Sequence, residues 1–126
     1  MGYIPSPNAE ITGGEILKII NYEATIRKNN IGLNDPGEFY KLDPETQGKL
    51  LDWISINLTK RKGFNYRYSS YRLKHLLPFY VTNGAFKGAM IRAGFRVADK
   101  AQLNWNFNVY IRKGRNNENS RPRAKS

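Results

Sequence analysis

From Leu103 to Ile111 the chain reads Leu-Asn-Trp-Asn-Phe-Asn-Val-Tyr-Ile, with apolar and polar residues in strict alternation. A period of two sustained over nine residues predicts a strand, because successive side chains on extended backbone point to opposite faces. The apolar set, Leu103, Trp105, Phe107, Val109 and Ile111, is expected to face a core. The other set, Asn104, Asn106, Asn108 and Tyr110, is expected to face solvent. Phe95-Arg-Val97, joined through residues 98–102, is the expected hairpin partner.

Everything upstream of that strand reads as helix or turn. Pro5 and Pro7 make an irregular arm of the first residues. Thr12-Gly-Gly-Glu15, with Thr12 or Gly14 as cap, then opens a helix carrying Ile16, Leu17, Ile19, Ile20 and Ala24 to about Lys28, although the β-branched content also fits a strand. Asn29-Asn-Ile-Gly32 and Asn34-Asp-Pro-Gly37 are turn signals. A second helix starts mechanistically at Asp43 as cap and Pro44 at the first helical position, with Leu50, Leu51, Ile54 and Leu58 as its inner stripe. Lys60-Arg-Lys-Gly63 is expected to end it, with cations in the last turn and Gly63 at the C-cap.

Two short helices follow. Ser69 or Ser70 caps one with Leu73, Leu76 and Leu77 inside, stopped by Pro78. Thr82 or Asn83 caps the other, with Phe86, Ala89, Met90 and Ala93 inside and Gly94 as a left-handed stop. Helix, turn, helix, then a hairpin is the order of a winged helix-turn-helix domain. The expected fold class is therefore α+β and mostly helical, a winged helix-turn-helix-like core of three to four helices plus a C-terminal β-hairpin. Residues 1–42 form an N-terminal arm and helical annex, 43–112 the domain, and 113–126 a disordered basic tail with no apolar residue larger than Ala and Pro.

Charge narrows the function. The chain has 126 residues and a formal charge of +11, but residues 1–58 hold 5 basic and 8 acidic residues while residues 59–126 hold 16 and 2, a split of −3 against +14. A one-sided basic field attracts a polyanion, and nucleic acid is the commonest. With no Cys and a single His, no thiolate or multi-histidine metal site and no disulfide framework is expected, and no cofactor is implied. No Walker loop, paired-carboxylate motif or G-x-S-x-G elbow is present, so no enzyme chemistry is expected. No apolar run reaches the roughly 20 residues that span a bilayer, which points to a cytoplasmic protein without membrane attachment. His75 has no paired acid or thiol beside it and reads as a surface or half-buried residue.

Residues 60–75 interleave Lys60, Arg61, Lys62, Arg67, Arg72 and Lys74 with four aromatics, a mixture suited to phosphates and to unpaired bases. Ser70 would add first-turn amides beside them. If the helix after Thr82 reads a groove, its outward side is Asn83, Ala85, Lys87, Gly88 and Arg92, where Asn and Arg suit base edges and Lys suits phosphate. Arg112 and Lys113 complete the expected contacts. The competing reading makes Gly88 a crossing point and the charges ordinary solvated ones, with Phe64 and Tyr71 in the core.

The stretches Tyr68-Ser-Ser-Tyr-Arg-Leu-Lys-His75, Tyr80-Val-Thr-Asn-Gly-Ala-Phe-Lys-Gly-Ala-Met90, Ala93-Gly-Phe95 and Leu103-Asn-Trp-Asn-Phe107 resemble small uncharacterised proteins of phages and mobile elements of Gram-positive bacteria. The resemblance spans roughly residues 43–111 and implies a role in element replication, regulation or counter-defence. Two functions are expected from it together with the charge. One is a nucleic-acid-binding accessory protein, with DNA ahead of RNA. The other is a protein-directed inhibitor of host defence, such as an anti-CRISPR protein that binds a nuclease or its guide RNA.

Overall fold

The computed structural model describes residues 12–112; the N-terminal arm and the basic tail lie outside them. It is an α+β fold, about 54% helical, with one small antiparallel sheet. In chain order the elements are α1 (Gly13–Asn29), 3-10 turns at Gly32–Asn34 and Pro36–Lys41, α2 (Pro44–Asn57), β1 (Leu58–Lys60), α3 (Ser70–Lys74), α4 (Asn83–Arg92) and β2 (Val109–Ile111).

The helix starts follow their local chemistry. Thr12 and Glu15 form a reciprocal capping box on α1, each side chain taking the other's backbone N–H at 3.0 Å. Asp43 accepts from the Thr46 amide at 2.8 Å with Pro44 in the first turn of α2, and Thr82 accepts from Ala85 on α4. Gly94, at φ +93°, ends the α4 segment in the left-handed region and lets the Phe95 amide return to the Met90 carbonyl.

The end of α2 differs from expectation. The helix stops at Asn57, and Leu58–Lys60 is a strand, so Lys60 to Gly63 do not cap it. β1 pairs antiparallel with β2, Leu58 opposite Ile111 and Lys60 opposite Val109. Leu58 is β-extended yet still buried, which is why it also fits the helical stripe.

The alternating stretch is extended but not a regular nine-residue strand. The consecutive carbonyls of Phe107 and Asn108 both accept from one flank, from Asn65 and Arg61, whereas the carbonyls of a regular strand alternate sides. That bulge confines the ladder to three residues. Val97 meets Phe107 through a single bridge, so the expected 95–97 pairing exists as one contact in place of a hairpin ladder. Trp105, Phe107 and Val109 are buried as expected and Ile111 packs against the core, but Leu103, expected with them, is 45% exposed. Asn106 and Asn108 are buried too, correcting the solvent-face reading: Asn106 Nδ2 donates to the Asn65 carbonyl, Asn108 Nδ2 to the Arg61 carbonyl, and Asn108 Oδ1 accepts from the Arg96 amide. Side-chain amides thus replace ladder bonds lost at the bulge.

The residues just before α2 also contribute to the core. Phe39 is 1% exposed and sits in the core with Leu50, Leu73, Phe86 and Phe107. Residues 35–39 cross directly over α4, where a Cβ on Gly84 would collide with the Asp35 backbone and one on Gly88 with the Pro36 carbonyl and Phe39. Gly88 is therefore a crossing point, with residues 35–39 packed directly against α4.

Candidate nucleic-acid interface

The chain brings three of the expected cations together. β1–β2 pairing sets Lys60 at the strand end and Arg112 just beyond Ile111, with the Arg112 amide donating to the Asn57 carbonyl at 2.9 Å. Arg92 is the last residue of α4, and the Gly94 turn swings Phe95 back beneath it. Lys60, Arg92 and Arg112 line one groove of about 490 Å³ with Leu51, Leu58 and Phe95 among its apolar walls. No carboxylate lines it. Lys60 Nζ lies 4.8 Å from the Phe95 ring centre, so its stem covers apolar surface while the charge stays exposed.

A second cluster follows β1 in the chain. Arg61 donates to the Gly63 and Phe64 carbonyls, and Arg96 donates to the Lys62 carbonyl while stacking on Phe64 at 5.1 Å. Both guanidiniums brace the turn whose exposed tip is Lys62. Arg96 was missed in the sequence, although its place in the expected 95–97 strand, two residues after the Gly94 stop, was there to read. Farther along, Arg67 is exposed, and Arg72 donates to its carbonyl and stacks on Tyr68 at 4.4 Å. Lys74 sits between Tyr71 and Tyr80, 5.5 and 4.8 Å from their ring centres. Tyr71 is half exposed, not core, and its ring meets His75 edge-on.

Three expected contacts are corrected. Ser70 is fully buried: its Oγ accepts from the Trp105 amide and donates to Asn83 Oδ1, and its own amide is bonded to the Trp105 carbonyl. Asn83 is 8% exposed and bonded internally. Lys87 is 0% exposed, and its ammonium donates to Asn30 Oδ1 at 2.8 Å, the Asn34 carbonyl at 3.1 Å and the Asn29 carbonyl at 3.4 Å, over the face of Trp105. Burial pushes the Lys87 ammonium down to about 8, with Asp35 pulling it partly back. With every residue from Asn83 to Met90 buried, α4 offers no outward side for a base edge; of that set only Arg92 reaches solvent. Lys113 lies outside the described residues.

Lys41–Glu38 is the one ion pair among the described residues, so the cations of the groove and of α3 are not ion-paired there. Among those residues no group of three or more His, Asp or Glu is placed to hold a metal, and no helix is long and apolar enough to cross a membrane. Comparison with protein families, with curated proteins and with solved structures finds no match to the chain.

Proposed function

We propose that the protein binds nucleic acid through its phosphate backbone, as an accessory protein of a phage or mobile element acting in replication or regulation in the cytoplasm. The observation that carries this reading is the convergence of Lys60, Arg92 and Arg112, from three separate elements, on one groove without a carboxylate. Cations held this way neutralise phosphates and release counterions, and apolar walls between them accommodate sugar or base. The helix-turn-helix order of α3 and α4 and the antiparallel contact of Val97 with Phe107 support a winged helix-turn-helix-like topology. α4 is buried here, unlike the exposed recognition helix of such domains, so recognition follows shape and charge more than base sequence, with DNA ahead of RNA as the target.

Fluorescence anisotropy with labelled duplex and single-stranded oligonucleotides tests this. Affinity should fall steeply with salt, and replacing Lys60, Arg92 and Arg112 together with Ala should flatten the log–log slope on duplex by about 3, near 0.9 per phosphate. Because these side chains are exposed, each replacement should change stability by no more than about 0.5 kcal/mol. Absence of binding to either strand form at about 50 mM salt sinks the reading.

A second reading, inhibition of a host defence protein such as a CRISPR nuclease, is favoured by α1. Ile16, Leu17, Ile19 and Ile20 are each 45–58% exposed on that helix, and apolar surface of this kind suits a protein partner. A stoichiometric partner that survives nuclease treatment and is lost in an Ile19→Asp, Ile20→Asp variant would favour inhibition.

A further inference from the structure

A second groove, of about 500 Å³, lies between Leu33, Tyr71, Lys74, Tyr80, Leu103 and Asn104. Its aromatic walls are open: Tyr80 is 75% and Tyr71 50% exposed, with the Lys74 ammonium between them. Among the groove's lining residues none is acidic.

Beneath it runs a hydrogen-bond chain whose direction is forced. The Leu103 carbonyl can only accept, so Asn83 turns Nδ2 toward it and Oδ1 toward Ser70, whose hydroxyl donates at 2.9 Å while accepting from the Trp105 amide at 3.0 Å. The other neighbours of Asn83 Nδ2 must then be acceptors, Asn34 Oδ1 at 2.9 Å and Asn104 Oδ1 at 3.0 Å. With their oxygens committed inward, Asn34 and Asn104 are left with amide Nδ2 donors that have no acceptor among the described residues, and both side chains line the groove. The buried Asn83 therefore orients two donors beside two exposed rings and a cation.

We propose that this groove binds an unpaired nucleobase, stacked on Tyr71 and Tyr80 with its acceptor edge toward Asn34 and Asn104 and the adjoining phosphate on Lys74. The proposal rests on the nucleic-acid reading and adds to it a site for single strands, separate from the phosphate groove. Stacking on aromatic rings is tolerant of sequence, and a cation beside the rings meets the backbone of the same strand. The charge decides against an apolar peptide, since Lys74 has no counter-charge in the groove and a polyanion supplies one at every residue.

The test uses the full chain, a single strand of roughly ten nucleotides carrying a central 2-aminopurine, and a duplex of the same length. Wild-type protein is expected to quench the 2-aminopurine on binding. Tyr71→Leu with Tyr80→Leu keeps the apolar walls but removes the rings. It should lose the quench and weaken single-strand binding about 5- to 100-fold while leaving duplex binding unchanged. Lys74→Gln should lower the single-strand salt slope by about 0.7. Binding to duplex alone, or a ring variant that weakens both forms equally or neither, overturns the groove assignment and leaves the phosphate-binding reading standing. Binding to neither form overturns both.

Discussion

α1 and α4 look like the same kind of object in the sequence, helices with apolar residues at helical spacing, yet none of the described residues of α1 is buried while eight consecutive residues of α4 are. What separates them is the backbone that crosses them. Gly84 and Gly88 let residues 35–39 lie against α4 where any side chain would hold them off, so even Lys87 is enclosed. Among the described residues α1 has no such contact along its length. It is fastened near its C-terminal end, where Asn29 and Asn30 donate to the Ala101 and Lys100 carbonyls and Tyr22 donates to Asp99. A helix's own stripe decides which side it would bury, and its neighbours decide whether it buries any.

The contrast makes graded predictions. Trp105→Ala, which removes a ring 2% exposed beneath α4, should cost about 3–5 kcal/mol in chemical denaturation. A loss under about 1 kcal/mol would mean the Trp105 side of the extended segment is not the inner one. Next is Gly88→Ala, whose methyl would meet the Pro36 carbonyl and Phe39 and should cost about 2–3 kcal/mol, seen as a lowered urea midpoint at unchanged slope. The same change at Gly48, which has open space around it, should be neutral or slightly stabilising.

Lys87 supplies a pH test. Its folded value of about 8 lies below the ordinary 10.5, so between those values the unfolded chain holds a proton that the folded chain has released. Stability from this group therefore rises with pH from about 8 to 10.5, by up to about 3 kcal/mol, and is lost as pH falls back through 8. A Lys87→Met variant should lack that rise, because it removes the titrating group. Identical pH profiles for the two proteins would place the lysine outside the core. The smallest effect belongs to α1: Ile19→Ser or Ile20→Ser should shift the denaturation midpoint by no more than about 0.5 kcal/mol in the isolated protein.

Local signals were the legible part of the fold. The caps at Thr12, Asp43 and Thr82 and the stop at Gly94 are set by a residue and its near neighbours, and each appears where its chemistry requires. What depended on distant segments was not legible. Leu58 satisfies a helical stripe and a strand equally, and only pairing with Ile111 chooses the strand. The asparagines between Trp105 and Val109 read as a wet face because their partners, the Asn65 and Arg61 carbonyls and the Arg96 amide, come from loops. Lys87 read as a solvated charge because its three acceptors lie more than fifty residues away. In the candidate interface, the basic run from Lys60 was visible as composition, whereas its meeting with Arg92 and Arg112 depends on the β1–β2 register and the Gly94 turn.

The extended segment from Trp105 to Val109 has both of its edges occupied, by residues 60–70 on one side and by Arg96 and Ala98 on the other. An open row of amides and carbonyls is a template on which another chain can crystallise as an added strand. Here that row is closed within the molecule, so the most β-prone stretch of the sequence is withdrawn from the aggregation its composition invites, and a high protein concentration should not by itself seed fibrils from it.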